Sequence, residues 1–316
     1  MEKQLKVQQL VDNLSKAIVG KDEAIRLVLV ALFAGGHALL EDVPGVGKTL
    51  LAKSLAASIA GKFQRVQCTP DLLPTDITGT NIWNPQKGEF QFLPGPVFAN
   101  VLLADEINRA TPRTQSALLE VMEEGQVTVD GVSRQVPMPF FAIATQNPIE
   151  YQGTFPLPEA QLDRFALSFS LGYPSSDEEV EMLRRMQRGQ IGSANLDPCI
   201  TPEEVAEIRQ LCKQILVNDQ ISRYIVDVIR ATRNDDEISL GVSPRGTSAL
   251  LRTVQSYAFI QWAISGNSSN DLKSLYVSPD DVKFLAPYVL GHRIMAAGKR
   301  SPQQIIKRLV ETVPVP

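Results

Sequence analysis

Histidine and cysteine are scarce in this chain, and their scarcity excludes whole classes of chemistry. The two histidines, His37 and His292, cannot build a histidine-rich metal site. The three cysteines, Cys68, Cys199 and Cys212, are odd in number, far apart and without metal-ligand spacing. They read as reduced, packed thiols of a cytosolic protein. Long apolar runs are missing too. The longest, residues 27–40, is broken by Gly35-Gly36-His37 and falls short of the ~18 residues of a spanning helix. The opening residues Met1 to Lys6 carry no apolar signal core, so a soluble, cytoplasmic protein without membrane insertion is expected. Charge of one sign is not in excess. A net charge of −4 leaves no electrostatic footprint for nucleic acid, and the cluster of Arg184, Arg185 and Arg188 is too small to change that. Repeats and low-complexity segments are absent.

What is there is an ordinary globular composition, 44% hydrophobic and 21% charged. At 316 residues the chain is long enough for roughly two domains of about 150 residues each. Short apolar runs recur at 38–40, 66–68, 101–104, 140–144 and 166–171, with helical patterns between several of them, as at 50–60 and 114–124. Such alternation predicts an α/β fold with a five-stranded, mainly parallel sheet covered on both faces. Beyond Tyr173-Pro174 the pattern turns helical, at 177–187, 202–215, 221–233, 244–264, 280–291 and 302–311. Several of these segments open on Ser, Thr or Asp followed by Pro or Glu, as N-caps do. The expected division is an α/β nucleotide-binding domain over 1–173 and an all-helical domain over 174–316, with a polar loop at 266–270.

Two stretches exceed a minimal sheet. Residues 69–99 are rich in Pro and Gly and set Trp83, Phe90 and Phe92 between polar residues. Residues 125–137 alternate around Asp130-Gly131, a strong hairpin signal. Their length in a compact domain suggests function as readily as ordinary excursion.

Residues 42–49, Asp-Val-Pro-Gly-Val-Gly-Lys-Thr, follow a short apolar run and precede an amphipathic one. Strand, Gly-rich turn, then Lys-Thr at a helix start is the context of a phosphate-binding loop. Backbone N–H groups and a positive helix end would receive the phosphates of ATP. The expected cradle is Pro44, Gly45, Val46, Gly47, Lys48, Thr49 and Leu50. Lys48 would reach the β- and γ-phosphates and the Thr49 hydroxyl would ligate Mg²⁺. Asp42 stands where the strict pattern has its first Gly, and Asp tolerates unusual backbone angles well enough to keep the turn.

Residues 101–106, Val-Leu-Leu-Ala-Asp-Glu, end a buried strand on two carboxylates, at the carboxyl edge where α/β sheets bind ligands. Asp105 would hold Mg²⁺ through its water shell, and Glu106 would orient the attacking water as general base. A third strand runs into Gln146-Asn147-Pro148. Pro148 favours extended geometry at Asn147, which suits an amide sensing water and γ-phosphate. Arg164 lies near a short helix's end, where the helix dipole favours a cation. Arg245 follows Ser243 and Pro244 at a helix start, where the dipole disfavours a cation. A nearby anion such as a nucleotide phosphate would resolve that conflict, with the helical domain folded over the phosphate loop. Arg109, Arg113 and Arg134 could face a neighbour, but each reads first as solvent-facing charge.

Taken together, these residues resemble the AAA+ ATPases, and more closely the MoxR family. The likeness rests on five motifs in order: Walker A around 42–49, Walker B at Asp105-Glu106, sensor 1 at Asn147, an arginine finger at Arg164 and sensor 2 at Arg245. It covers nearly the whole chain from Ile18-Val19-Gly20 onward. The resemblance implies that Val19 and Gly20 line the adenine pocket, that 69–99 is a helix-2 insert and that 125–137 is a hairpin preceding sensor 1. It also implies a P-loop three-layer sandwich with a helical lid, and a homo-oligomeric ring, usually a hexamer, with ATP and Mg²⁺ between subunits. Arg164 would act there on the neighbour's nucleotide. Loss of the γ-phosphate would release Asn147 and Arg245, and the lid would then rotate against the sheet domain. The resemblance also implies chaperone-like maturation or metal loading of client proteins, often ones with von Willebrand factor A domains. Two other functions fit parts of the pattern: a nucleotide-dependent scaffold with negligible turnover, and a DNA-remodelling motor. The complete acid pair argues against the first, and the acidic balance against the second.

Overall fold

The computed structural model describes residues 2–148, 153–189, 196–265 and 275–315; the polar loop expected at 266–270 lies outside them. Two helices, α1 (Glu2–Ala17) and α2 (Asp22–Phe33), lead into β1 (Ala38–Glu41), α3 (Lys48–Ser58) and β2 (Phe63–Gln67). A short helix α4 (Pro74–Thr78) and the hairpin β3 (Gly79–Asn84)–β4 (Glu89–Pro94) come before β5 (Val101–Asp105) and α5 (Pro112–Glu124). A second hairpin, β6 (Gln126–Val129)–β7 (Val132–Gln135), precedes β8 (Phe141–Gln146), α6 (Glu159–Leu162) and β9 (Leu167–Phe169). The remainder is helical: α7 (Ser176–Gln187), α8 (Pro202–Lys213), α9 (Asp219–Arg233), α10 (Pro244–Ile264), α11 (Pro279–Leu290) and α12 (Pro302–Thr312). A small antiparallel ribbon, β10 (Ile238–Leu240) with β11 (Met295–Ala296), interrupts it.

The central sheet has the order β2-β5-β8-β1-β9, and every pairing in it is parallel. Successive side chains on a strand face opposite ways, and the two faces found different cores. Leu40, Val101, Leu103, Phe141, Ile143 and Phe169 pack with α1, α2, α3 and the C-terminal helices. Leu39, Leu102, Ala104, Ala142 and Ala144 pack with α5 and the segments around Ile77 and Val97. Helices on both faces explain why β5 and β8 read as continuous apolar runs. Edge strand β2 begins at Phe63 rather than at the expected 66, because its outer residues Gln64 and Arg65 are polar and no apolar run marks them.

Helix ends obey their local chemistry. Ser175, Thr201, Ser278 and Ser301 form capping boxes, and Thr111, Asn218 and Ser243 cap through their side chains. The Asp-Gly signal is a tight turn with both φ angles positive, 51° at Asp130 and 77° at Gly131, as a type I′ hairpin requires. The two hairpins lean on each other. Asn81 donates to Asp130 at 2.6 Å, and the Arg134 guanidinium lies 4.1 Å from the Phe92 ring centre. Arg134 is therefore stacked on an aromatic face rather than turned to solvent.

His37 pins the amino-terminal edge of the sheet. Its Nδ1 accepts from the Ala142 N–H at 3.0 Å, so Nε2 carries the proton and donates to the Met122 carbonyl at 2.9 Å. Burial lowers its pKa to about 4. The neutral ring's full contribution is present above the ordinary value near 6.5. It is lost as pH falls from there through about 4, because the unfolded chain takes up the proton first. Stability should drop by roughly 3 kcal/mol across that window. Urea unfolding on either side of it checks this, with His37→Asn giving a shallower pH dependence. Among the described residues no helix is long and apolar enough to cross a membrane.

Candidate functional site

The 42–49 turn joins β1 to α3 at the carboxyl edge of the sheet. Gly45 and Gly47 take positive φ, 89° and 98°, which lets the backbone wrap with its N–H groups converging. Helix α3 begins at Lys48, whose buried ammonium donates to the Asp42 carbonyl at 3.0 Å. Asp42 itself is not among the residues with positive φ; its side chain, not its tolerance of strained angles, is what matters. The buried carboxylate accepts from Ser170 Oγ at 2.7 Å, Leu171 N at 2.6 Å and Gly172 N at 3.1 Å. The residue in the first Gly position thus ties the loop to the segment leading into α7. Asp42→Ala leaves the buried Leu171 N–H without an acceptor, at a cost of about 1–3 kcal/mol, while the exposed Ser170 hydroxyl and the half-buried Gly172 N–H can turn to water. A loss of about 2 kcal/mol in urea unfolding is expected.

Parallel register carries the acids to the same edge. Asp105 ends β5 opposite Gln67, and Asn147 follows β8 directly. The Thr145 hydroxyl donates to Asp105 Oδ1 at 2.7 Å and accepts from the Glu106 N–H at 2.8 Å. Arg65 caps the other Asp105 oxygen at 2.7 Å. Glu106 sits in the left-handed region, φ 57° and ψ 51°, an uncommon place for a residue with a long side chain. Such strain costs of order 1–3 kcal/mol and clusters at functional sites. Gln67 Nε2 and Arg109 both donate to Glu106 Oε2, at 3.0 and 3.2 Å. Arg109, its side chain 39% exposed, is thus both open to solvent and a partner of the acid. Cys68, behind the pair, is buried and its thiol is pushed up to about 12 by burial and by both carboxylates. It stays protonated and inert.

Gly20, φ 69°, lies against α7: a Cβ there would meet the Glu178 carboxylate, which also pairs with Lys21 at 3.7 Å. Gly20 and Lys21 therefore pack against the start of α7. Thr49 and Leu50 continue the first turn of α3, with Val46 and Leu50 packed on the core.

Arg164 and Arg245 are placed elsewhere. Both pair with Glu123 at the end of α5, Arg164 at 3.3 Å and Arg245 through Nη2 to Oε1. They face a cleft of about 280 Å³ that also takes in Gly35, Gly36 and His37, just ahead of β1. This is the amino-terminal edge. The four residues of β1, about 13 Å of strand, separate it from the phosphate loop. The expectation that the helical region folds over its own phosphate loop and brings Arg245 there is corrected. Ser243 does cap α10 from Asp163's side, donating to Asp163 at 2.6 Å, and the buried Arg293 bonds Asp163 at 2.7 Å. These contacts fasten the start of α10 beside Arg164. The anion that offsets the Arg245 dipole conflict is Glu123.

Arg65, Gln67, Thr145 and Glu123 were not singled out from the sequence. Gln67 becomes visible only through strand register. Thr145, a polar residue in an apolar strand, was the one available signal.

Comparison with known proteins fits this geometry. Residues 37–167 match the model of the ATPase family associated with various cellular activities (AAA), and residues 273–311 match an AAA lid domain. The chain is 45% identical to the uncharacterized protein YeaC of Bacillus subtilis, over 97% of this chain and 93% of that one. It is 38% identical to the chaperone MoxR1 of Mycobacterium tuberculosis, over 98% of this chain and 82% of the relative. A crystal structure of a candidate ATPase from Cytophaga hutchinsonii superposes with a TM-score of 0.88 at 36% identity, covering 99% of this chain and 96% of that one. With the loop, the acid pair and the helical lid in place, this chain belongs to the MoxR family of AAA+ ATPases.

Proposed function

We propose that this protein hydrolyses ATP with Mg²⁺ in a ring of identical protomers, hexameric by family likeness, and uses the cycle to remodel or mature a client protein. One observation carries the reading: the reacting groups are split between the two edges of the sheet. Lys48, Thr49, Asp105, Glu106 and Asn147 stand at the carboxyl edge, Arg164 and Arg245 at the other. A head-to-tail neighbour brings the two sets together, and a heterologous contact of that kind closes into rings.

The residues present fit a nucleoside triphosphate with a divalent cation. The positive-φ glycines and the Lys48 amine make an anion cradle. Asp105 already draws a cation, the Arg65 guanidinium, to the carboxyl edge. Thr49 and Asp105 would hold Mg²⁺, which supplies charge neutralisation and Lewis acidity when bound. Glu106 takes the proton of the attacking water, Asn147 orients that water, and Val19 and Gly20 border the base. The neighbour's Arg164 and Arg245 meet the charge that spreads over the transferring group.

Residues 1–173 would then serve as the nucleotide-binding unit and 174–316 as the lid. The Arg293–Asp163 pair connects lid to finger, and the Asp42 bonds fix the loop to residues 170–172, just ahead of the lid. The client would meet the two hairpins, where Trp83, Phe90, Leu93 and Val132 are exposed; a von Willebrand factor A domain is the client class the family suggests. Steady-state phosphate release from ATP, with and without Mg²⁺, tests the reading. Mg²⁺-dependent turnover that rises with protein concentration is expected. Absence of turnover at saturating protein would leave a nucleotide-switched scaffold.

A further inference from the structure

Glu123 breaks a local rule. It lies in the last turn of α5, which holds no basic residue, so its charge opposes the negative end of the helix dipole. Arg245 breaks the mirror rule at the first turn of α10. Each resolves the other, and Arg164 joins them: one Glu123 oxygen takes Arg245, and the other lies 3.3 Å from Arg164 Nη2. All three side chains are partly open, with 35% of Glu123, 29% of Arg164 and 46% of Arg245 exposed. The other acid of the cleft, Asp163, is occupied by the buried Arg293 and by Ser243. Among the described residues no second acid pairs with the two arginine heads.

We propose that Glu123 is a placeholder for a phosphoryl group. In the lone protomer it gathers Arg164 and Arg245 onto one carboxylate; on assembly the neighbour's terminal phosphoryl group takes the carboxylate's place. The inference rests on the reading that both arginines act across the protomer interface. Each arginine meets one carboxylate oxygen through a single Nη2, and two oxygens of a phosphoryl group can take the same two donors, so the pair is already converged on one anion. Exposed ion pairs are weak and screened by salt, so a doubly charged group wins the exchange. A diphosphate, lacking the terminal group, does not make it. Glu123 is a positioning residue that sets the threshold for triphosphate-dependent assembly.

Sedimentation velocity over a range of protein concentrations tests this, using the full chain with a slowly hydrolysed ATP analogue or with ADP. Glu123→Gln should lower the concentration for half assembly by about threefold to tenfold with the triphosphate analogue, consistent with the modest worth of exposed pairs. With ADP it should match the wild type. Glu120→Gln, the same charge change one turn away, should behave as wild type in both. An unchanged or raised midpoint with the triphosphate, or an equal shift with ADP or with Glu120→Gln, overturns the proposal. If Arg164→Ala hydrolyses at the wild-type rate while assembled, the interface assignment beneath it is what fails.

Discussion

Arg164→Ala should bind ATP with wild-type affinity, assemble, and release phosphate about 10³-fold more slowly or worse, the scale set by arginines that act on a transferring phosphoryl group. Affinity should hold because Arg164 lies at the amino-terminal edge, a strand's length from its own phosphate loop. It adds nothing to the cradle of 44–49. Turnover should fall because charge redistributes over the transferring group and its bridging oxygen as the bond breaks, and the neighbour's cation stabilises that change beyond its contact with the bound triphosphate. Nucleotide titration paired with phosphate release at saturating protein separates the two effects. A parallel loss of affinity would place Arg164 in its own protomer's pocket instead.

Glu106→Gln should leave binding intact and cut turnover by about 10²–10⁴, the span expected for loss of a general base. The backbone at this residue is already held in a costly conformation by the Thr145 hydroxyl, and Gln is nearly isosteric, so the fold should survive unchanged. An amide cannot take the water's proton. Retained ATP without hydrolysis should also hold a client in place, which makes this variant the bait for identifying one. Turnover above a tenth of the wild-type rate would give the base role to another group.

Much of this was legible in the chain. Buried runs at 101–104 and 140–144 named the central strands because both faces are covered. The Asp130-Gly131 pair named a hairpin because only such residues accept two positive φ angles cheaply. Lys48 could be placed because a Gly-rich turn after a strand delivers it to a helix start, and Asp105, Glu106 and Asn147 because each sits at a strand end, where the carboxyl edge of a parallel sheet gathers them. Long-range placement was not legible. Arg245 was read against its own helix dipole, and the inference of a nearby anion was sound. The sequence offered no way to tell a phosphate from Glu123, which lies 122 positions away in the chain. Asp42 was read for its backbone when its carboxylate was the working part, since its partners at 170–172 are met only after folding. Arg65 and Gln67 looked like the wet side of an edge strand, and register alone sets them against the acids. Helix α1 escaped notice, though Val7, Leu10, Leu14 and Ala17 bury one face at helical spacing.

The division of one active site between two protomers is most directly tested by mixing. Lys48→Ala protomers have intact arginines but no working cradle; Arg164→Ala protomers have a working cradle but no finger. Neither should hydrolyse ATP alone. Mixed in equal amounts and allowed to co-assemble, they should regain turnover well above the sum of the two, at interfaces that pair a sound loop with a sound arginine. Mixed rings that form and remain inactive would contradict the account.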